Sequence, residues 1–198
     1  NGVLFLDEAA EFRSSVLQML RVPLESGSIT LRRAGRSTNY PANFQLLMAV
    51  NPCPCGNFGS KTKICLCSAK SIEQYWKKFS APLLDRIDLR VFVENHSDEE
   101  HIEERKGFQT TSEIRQGVAR AIKMQRQWQG IKNSMLNPVE IIDICNIDED
   151  GQKLLDLAVN RFGFSPRAIA SCLKVSRTIA DIEGSFDISP RHLSEAIS

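Results

Sequence analysis

Two adjacent carboxylates follow a short apolar run near the beginning of the sequence. The run Val3–Leu6 is apolar without interruption, and Asp7 and Glu8 come directly after it. Such a run is typical of a parallel-sheet strand that is covered on both faces, and ligands of open α/β sheets bind beyond the carboxyl ends of these strands. We therefore expect one carboxylate to hold a cation and the other to orient a water molecule. The alternative is that both simply end a buried strand.

A polar residue follows a second apolar run in the same way. Phe44–Val50 reads as a buried strand, and Asn51-Pro52 comes next. If this strand lies beside the first one, Asn51 faces the same site as the two carboxylates. The alternative is an asparagine that begins a turn before proline, which is common. The residues alone leave both interpretations open.

Four of the six cysteines lie in one window, residues 53–67, as two Cys-x-Cys pairs. The four are Cys53, Cys55, Cys65 and Cys67. Four thiolates suit a tetrahedral zinc ion, although zinc knuckles more often use wider spacings. A disulfide is the weaker alternative in a reducing compartment, and free thiols packed in a loop are a further alternative.

The GSKT segment at Gly59–Thr62 lacks the glycines that a phosphate-binding loop needs at its first position and before its lysine, so it is rejected as such a loop. Cys145 and Cys172 are expected to be buried as small apolar residues.

Two arginines have local surroundings that allow a functional role. Arg86 lies between Asp85 and Asp88, so it either forms local ion pairs or presents its planar guanidinium to a phosphate across a subunit boundary. Arg167 falls in the first turn of a predicted helix, where a cation opposes the helix dipole at a cost of roughly a few tenths of a kcal/mol. Exposed arginines tolerate this often, so the indication of function is mild.

Composition bounds the class of protein. The 198 residues carry a formal net charge of +1 and are 42% hydrophobic, so bulk charge points to neither nucleic acid nor membrane. No apolar stretch approaches the roughly 20 residues of a membrane span, and no signal peptide begins the chain, which makes a cytoplasmic location the default expectation. The sequence lacks an initial methionine and opens directly on a strand, so we expect it to be a piece of a longer chain.

Periodicity predicts further elements in the first half. A helix is expected over Glu11–Leu24, kinked or ended by Pro23, with an apolar face of Phe12, Val16, Met19 and Leu20. Another helix is expected over Ser71–Phe79, and an alternating strand over Leu89–Val93.

Alternation also predicts a hairpin over Ser28–Tyr40, with a break at Gly35. Its basic residues are Arg32, Arg33 and Arg36. From charge alone, a merely solvated basic face is slightly favoured over a binding surface.

The second half is predicted to be all helical, after an acidic and polar boundary at residues 94–105. Thr110 and Glu113 form a capping box for a helix that carries Ile114, Val118, Ile122 and Gln125. Further helices are predicted at about Pro138–Cys145, at Glu149–Phe162, from Pro166 to Glu183 and after Ser189-Pro190.

The order of these segments resembles a known family over almost the whole chain. GVLFLDE, QLLMAVNPCPCG, CLCS, PLLDRIDL and SPRAIASCLKVSRTIAD are similar to the Mg-chelatase-like AAA+ ATPases of bacteria, and within them to the ComM/YifB type. The resemblance implies an α/β fold: a partial AAA+ P-loop NTPase core, with parallel sheet strands and a hairpin, followed by an all-α helical lid domain. The implied domains are 1–94, the C-terminal half of the ATPase core, and 95–198, the lid.

The resemblance also implies a role for each candidate residue. Asp7 matches the Walker B aspartate that holds Mg²⁺, and Glu8 the glutamate that orients the attacking water. Asn51 matches the sensor-1 residue that contacts the γ-phosphate of ATP or that water, Arg86 the arginine finger acting on the neighbouring subunit, and Arg167 the sensor-2 arginine. Positioning and charge stabilisation are most of what an enzyme contributes to phosphoryl transfer.

The family implies a hexameric ring that hydrolyses ATP to move DNA, as in branch migration during natural transformation. The hairpin arginines become candidate DNA contacts. The alternatives are a metal-chelatase motor subunit, against which the cysteine window argues, and a non-hydrolysing zinc-binding interaction module. The family's Walker A loop is absent from this sequence, so we predict that the 198 residues alone neither bind ATP tightly nor hydrolyse it.

Overall fold

The computed structural model describes residues 2–93, 109–145 and 147–198. The chain divides into two compact units, residues 1–95 and 96–198. The predicted boundary at residues 94–105 lies outside the described residues. Of the described helices, none is long and apolar enough to cross a membrane.

The first unit is organised around two parallel strands. β1 (Gly2–Leu6) pairs with β4 (Phe44–Met48) in a register that runs from Gly2–Phe44 to Leu6–Met48. The prediction of neighbouring parallel strands is therefore confirmed. The expected cover on both faces is not confirmed. Val3 and Phe5, on one face of this two-stranded sheet, are 63% and 59% exposed, whereas Leu6 on the other face packs against the core.

The segment after β1 differs from the single predicted helix. A 3₁₀ turn at Ala9–Glu11 precedes helices α1 (Ser14–Met19) and α2 (Arg21–Ser26). The helix breaks near residue 20 because Pro23 has no N–H to donate to the carbonyl four residues earlier. Pro23 itself lies in the first turn of α2, where that N–H is not needed. The predicted interruption is therefore present, but it falls near residue 20 and not at the proline.

The break also changes which residues face the core. Leu17 is fully buried, whereas Val16 and Met19 are 44% and 74% exposed. Phe12, which precedes α1, is also exposed. The predicted apolar face was wrong because it assumed a continuous helical period across Leu20, and only Leu20 of that face packs on the core.

The hairpin follows the prediction closely. β2 (Ser28–Arg33) and β3 (Arg36–Pro41) are antiparallel, and Gly27 ends α2 with a φ of 63°. The two-residue turn Ala34-Gly35 has positive φ at both positions, which is the geometry that matches the twist of the flanking strands.

Two further helices complete the described part of the first unit. α3 (Ala69–Trp76) and α4 (Ala81–Leu84) are each capped by a serine, Ser68 and Ser80. The core of the unit consists of Ala9, Ala10, Leu17, Tyr75, Phe79 and Leu83.

The strand predicted at Leu89–Val93 is wrong. These residues form no regular structure, and Val91 and Val93 are more than 80% exposed. An alternating pattern makes a strand only where a neighbour accepts its hydrogen bonds, and none of the described strands lies beside this one.

The second unit is helical, as predicted. Its helices are α5 (Thr111–Gln129), α6 (Pro138–Ile144), α7 (Glu149–Phe162), α8 (Pro166–Glu183) and α9 (Pro190–Ile197). Both bonds of the Thr110–Glu113 capping box form, and Gly163 and Gly184 end α7 and α8 with positive φ. A small parallel sheet, a hairpin and a mostly helical region are what the expected fold class requires, and that expectation is confirmed.

Helix α8 is central to the second unit and packs against α5, α6 and α9. The predicted face of α5 is only partly right, because Ile114 and Val118 are exposed. Gln125 of the predicted face is buried, and Gly117 and Ala121 are also buried. The small side chains of these two residues let α5 approach α8 closely. The core consists of Leu136, Ile141, Cys145, Leu155, Ala170, Cys172, Leu173, Ala180, Ile188 and Leu193.

Candidate functional site

The two carboxylates lie at the carboxyl edge of the parallel strands. Beyond the last β1–β4 pair, the Ala49 N–H donates to the Leu6 carbonyl over 2.9 Å, and the Ala9 N–H donates to the Ala49 carbonyl over 2.9 Å. Asp7 and Glu8 therefore form a short exposed loop that is fixed at both ends to the residue following β4. The loop cannot move away from that edge without breaking one of these bonds.

The backbone of Glu8 is held in an unusual conformation. Its φ and ψ are 48° and 46°, in the left-handed region that costs a non-glycine residue roughly 1 kcal/mol. The Glu8 N–H donates to Oδ1 of Asp7 over 3.0 Å, which fixes that carboxylate while leaving its second oxygen for another ligand. Strained residues of this kind cluster at functional sites because the surrounding structure must enforce them.

Asn51 lies three residues beyond the end of β4, on the same edge as the carboxylate loop. Its backbone contacts the buried Tyr75 of α3. Burial raises the pKa of Tyr75, and the charges of Glu11 and Glu8 raise it further, while a hydrogen bond with the backbone of Asn51 acts in the opposite direction. Tyr75 therefore lies close both to the Asn51 backbone and to the negative charges of Glu8 and Glu11.

Arg86 follows α4 and is largely buried, with 11% of its side chain exposed. The guanidinium donates to Glu25 of α2 and, over 2.5 Å, to the Pro82 carbonyl. Its Nε is buried without a hydrogen-bond partner among the described residues. The structure thus gives Arg86 an ion-pair partner in another helix, which the sequence did not suggest.

The four cysteines of residues 53–67 converge, and their sulfur atoms all lie within 4.8 Å of one another. Sγ–Sγ distances are 3.4 Å between Cys53 and Cys55, 3.7 Å between Cys53 and Cys65, and 3.7 Å between Cys55 and Cys65. A disulfide requires about 2.05 Å. A tetrahedron with zinc–sulfur bonds of about 2.3 Å has edges of roughly 3.75 Å. The spacing therefore fits a four-coordinate metal site and excludes a disulfide in this arrangement.

The thiols differ in how readily they ionise. Burial acts to raise the pKa of Cys53, but hydrogen bonds from Cys55, Cys65 and the Phe58 backbone outweigh it and lower the pKa to about 6. A backbone hydrogen bond from Cys55 acts to lower the pKa of Cys67, yet thiol contacts and burial raise it to about 12. The Cys53 thiolate is therefore favoured, whereas the raised pKa values of Cys65 and Cys67 oppose their ionisation unless a cation compensates the charge.

The remaining candidates lie elsewhere. Arg33 and Arg36 are directly opposite each other beside the hairpin turn, and Arg32 pairs with Ser37. Neighbouring residues of a strand point to opposite faces, so Arg32 does not share the face of the other two. Arg167 is exposed in the first turn of α8, in the second unit.

The two lone cysteines are buried, as predicted: Cys145 and Cys172 are each 6% exposed. Burial raises the pKa of Cys145 to about 12 and also raises the pKa of Cys172. Both thiols therefore stay protonated and unreactive at neutral pH.

Comparison with known protein families accounts for nearly the whole chain. Residues 1–101 match magnesium chelatase, subunit ChlI, and residues 108–198 match the ChlI C-terminal family. The chain belongs to the magnesium chelatase ChlI family. This Mg-chelatase-like chain is therefore an AAA+ family member.

Curated relatives of this Mg-chelatase-like chain support the same assignment. Competence protein ComM of Haemophilus influenzae is 39% identical over 206 residues, which cover all of this chain and 38% of that protein. YifB of Escherichia coli is 36% identical over 199 residues, covering all of this chain and 39% of YifB. A Mycobacterium tuberculosis protein is 37% identical over 187 residues, covering 92% of this chain and 36% of its own length. The expected ComM/YifB type is confirmed, and the chain spans about two fifths of these relatives.

The sequence did not reveal two of the site's contacts. Glu25 pairs with Arg86 across 61 positions, and Trp76 donates its indole N–H to the Pro52 carbonyl over 3.1 Å. No local sequence pattern indicates either contact, because the two partners are 61 and 24 positions apart in the sequence.

Proposed function

We propose that this chain supplies the water-activating part of the ATP-hydrolysis site of an AAA+ ring motor that acts on DNA. The observation that carries the proposal is the carboxylate loop fixed to Ala49 at the edge of the parallel strands. It holds two acidic side chains and the segment leading to Asn51 together, where α/β folds bind their ligands.

The donor set fits Mg²⁺, the cofactor that such a site requires. Mg²⁺ prefers one or two carboxylates together with water and phosphate oxygens, and Asp7 offers the oxygen that is not bonded to the Glu8 N–H. When bound, the ion supplies charge neutralisation at the phosphates. In this proposal Asp7 holds the ion and Glu8 orients the attacking water. Asn51 contacts the γ-phosphate or that water.

Two arginines complete the proposed site. We assign Arg86 as the arginine finger for the nucleotide of the neighbouring subunit, since a guanidinium fork suits phosphate oxygens. Arg167 of the helical unit is assigned the sensor-2 role that the family resemblance implies. The proposed domains are 1–94 for the ATPase core and 95–198 for the lid, within a hexameric ring.

The hairpin is the proposed DNA contact. Arg33 and Arg36 lie together beside its turn, and Arg32 lies on the other face, all exposed. The face of the paired arginines also carries Ile29 and Tyr40, both exposed, which offers charge for phosphates and an aromatic ring for bases. The similarity to a competence protein supports a role in branch migration during natural transformation.

We also propose zinc as the ion of the four-cysteine cluster, because the sulfur spacing fits a tetrahedral site. This site favours a second candidate function, a zinc-binding interaction module without hydrolysis. Metal analysis of the purified protein, with and without Cys53→Ser, tests zinc binding. The carboxylate loop gives the ATPase the stronger support.

The test of the proposal is ATP hydrolysis by the full-length protein that contains this chain. Glu8→Gln removes the charge that orients water and keeps the side-chain size, so kcat should fall by at least about 100-fold with little change in MgATP affinity. Glu11→Gln, an exposed neighbour three residues away, is the matched control and should retain activity. Full activity in Glu8→Gln would overturn the proposal.

A further inference from the structure

We infer that the metal-loaded cysteine cluster is a clamp that holds Asn51 against the carboxylate loop, so that metal occupancy controls hydrolysis. The inference rests on the proposed roles of Asn51 and Glu8, although the clamp itself can be measured without them. It is built from the two ends of the cysteine loop.

One end of the loop leads directly into the candidate site. Cys53 is fully buried and stands two residues after Asn51. Between them, the Pro52 carbonyl accepts the indole N–H of Trp76. Holding the Cys53 sulfur therefore restricts the segment from residue 51 onward.

The other end leads directly into α3. Cys67 is followed by Ser68, whose side chain accepts the Ser71 N–H and begins that helix. α3 carries Tyr75, which contacts the backbone of Asn51, and Trp76, which contacts Pro52. A metal that joins Cys53 to Cys67 thus closes a ring in which Asn51 is tied to the helix packed beside it.

The loop between the two pairs is shaped for this closure. Gly56 adopts a φ of 76°, and its N–H donates to the Cys53 carbonyl over 2.9 Å. The turn brings the Cys55 sulfur back to within 3.4 Å of the Cys53 sulfur. Ile64 and Leu66, on either side of Cys65, are 82% and 89% exposed. These two side chains therefore add little apolar packing to the part of the loop that carries Cys65 and Cys67.

The consequence concerns catalysis rather than binding. Asn51 is proposed to act on the γ-phosphate or the attacking water, and misplacing such a group by about 1 Å can cost roughly 100-fold in rate. Loss of the metal should therefore lower kcat and leave the affinity for MgATP nearly unchanged. A cluster that merely stabilised the fold would weaken binding, helix content and thermal stability together.

The experiment uses the full-length protein with zinc removed by a chelator under reducing conditions and then restored. We expect kcat to fall about 10- to 100-fold, with unchanged nucleotide affinity and circular dichroism, and to recover when zinc alone is added. Hydrogen exchange should accelerate at the Ala49 and Ala9 amides, whose bonds fix the carboxylate loop.

Variants separate the metal from the cysteine side chains. Cys55→Ser should reproduce the zinc-free behaviour, whereas Cys55→His, which keeps a zinc ligand at an exposed position, should restore both kcat and slow exchange. Unchanged exchange and kcat in the zinc-free protein would overturn the clamp. If the zinc-loaded protein proved inactive with Glu8 intact, the proposed function would fail, and the exchange at Ala49 and Ala9 would still decide the clamp.

Discussion

Asp181 of α8 is the centre of a buried polar network, and its replacement gives the most quantitative prediction for the second unit. Its carboxylate accepts bonds from Gln125 Nε2 over 2.9 Å, Asn133 Nδ2 over 2.8 Å and Arg177 Nε over 2.8 Å. Arg177 is 6% exposed and Asp181 5% exposed. The guanidinium also donates to the carbonyls of Ser185 and Phe186, so the network links α5, α8 and the segment after α8.

Asp181→Ala leaves a buried cation without its counter-charge and two amide donors without an acceptor. Breaking a buried pair on one side costs about 3–5 kcal/mol, and we expect a loss of about 4 kcal/mol. For a unit of this size, such a loss lowers the midpoint of thermal unfolding by at least about 16 °C. Asp181→Asn keeps the shape and should cost less than Asp181→Ala.

The assay is urea and thermal unfolding followed by far-ultraviolet circular dichroism, which the helices of the second unit dominate. Asp187→Ala is the matched control, because Asp187 is an exposed carboxylate close by in the sequence. It should change stability by less than about 0.5 kcal/mol. A loss below about 1 kcal/mol for Asp181→Ala would refute the argument that the Arg177 charge depends on this partner.

Three further predictions concern the first unit within the full-length protein. Arg33→Ala and Arg36→Ala should each reduce the magnitude of the slope of log DNA affinity against log salt concentration by about 1. Arg32→Ala, on the other face, should have a smaller effect. Unchanged slopes for the paired arginines would show that the hairpin does not contact DNA. Glu25→Ala should reduce kcat several-fold at constant nucleotide affinity because Arg86 loses its positioning partner, and normal kcat would show that the pair has no such role. Zinc affinity, measured by competition with a chelator, should fall steeply as pH is lowered towards about 5, because protons compete with zinc for the thiolates. The thiol with the lowered pKa, Cys53, still has a pKa of about 6. A zinc affinity independent of pH would contradict thiolate ligation.

Local signals predicted a large part of this fold. The Thr110–Glu113 box and the glycines at 163 and 184 fixed helix ends because each satisfies backbone groups within a few residues. The hairpin was predicted because its turn and its alternation are also local. The order of motifs, rather than any single one, indicated the family.

Contacts distant in sequence limited the prediction. Leu89–Val93 has a strand pattern, but a strand also needs a neighbour, and the pattern does not specify one. The pairing of Arg86 with Glu25 depends on how α2 and α4 pack around Leu83, which no spacing along the chain specifies. The cysteine spacing left zinc, disulfide and free thiols open, and the Sγ–Sγ distances excluded the disulfide.

The most direct test of the central claim is single-turnover cleavage of MgATP by the full-length protein carrying Glu8→Gln, with nucleotide binding measured on the same sample. The account predicts that the variant binds MgATP as tightly as the unaltered protein and cleaves it at least about 100-fold more slowly. Binding and cleavage at unaltered rates would contradict the assignment of the carboxylate loop as the hydrolytic centre.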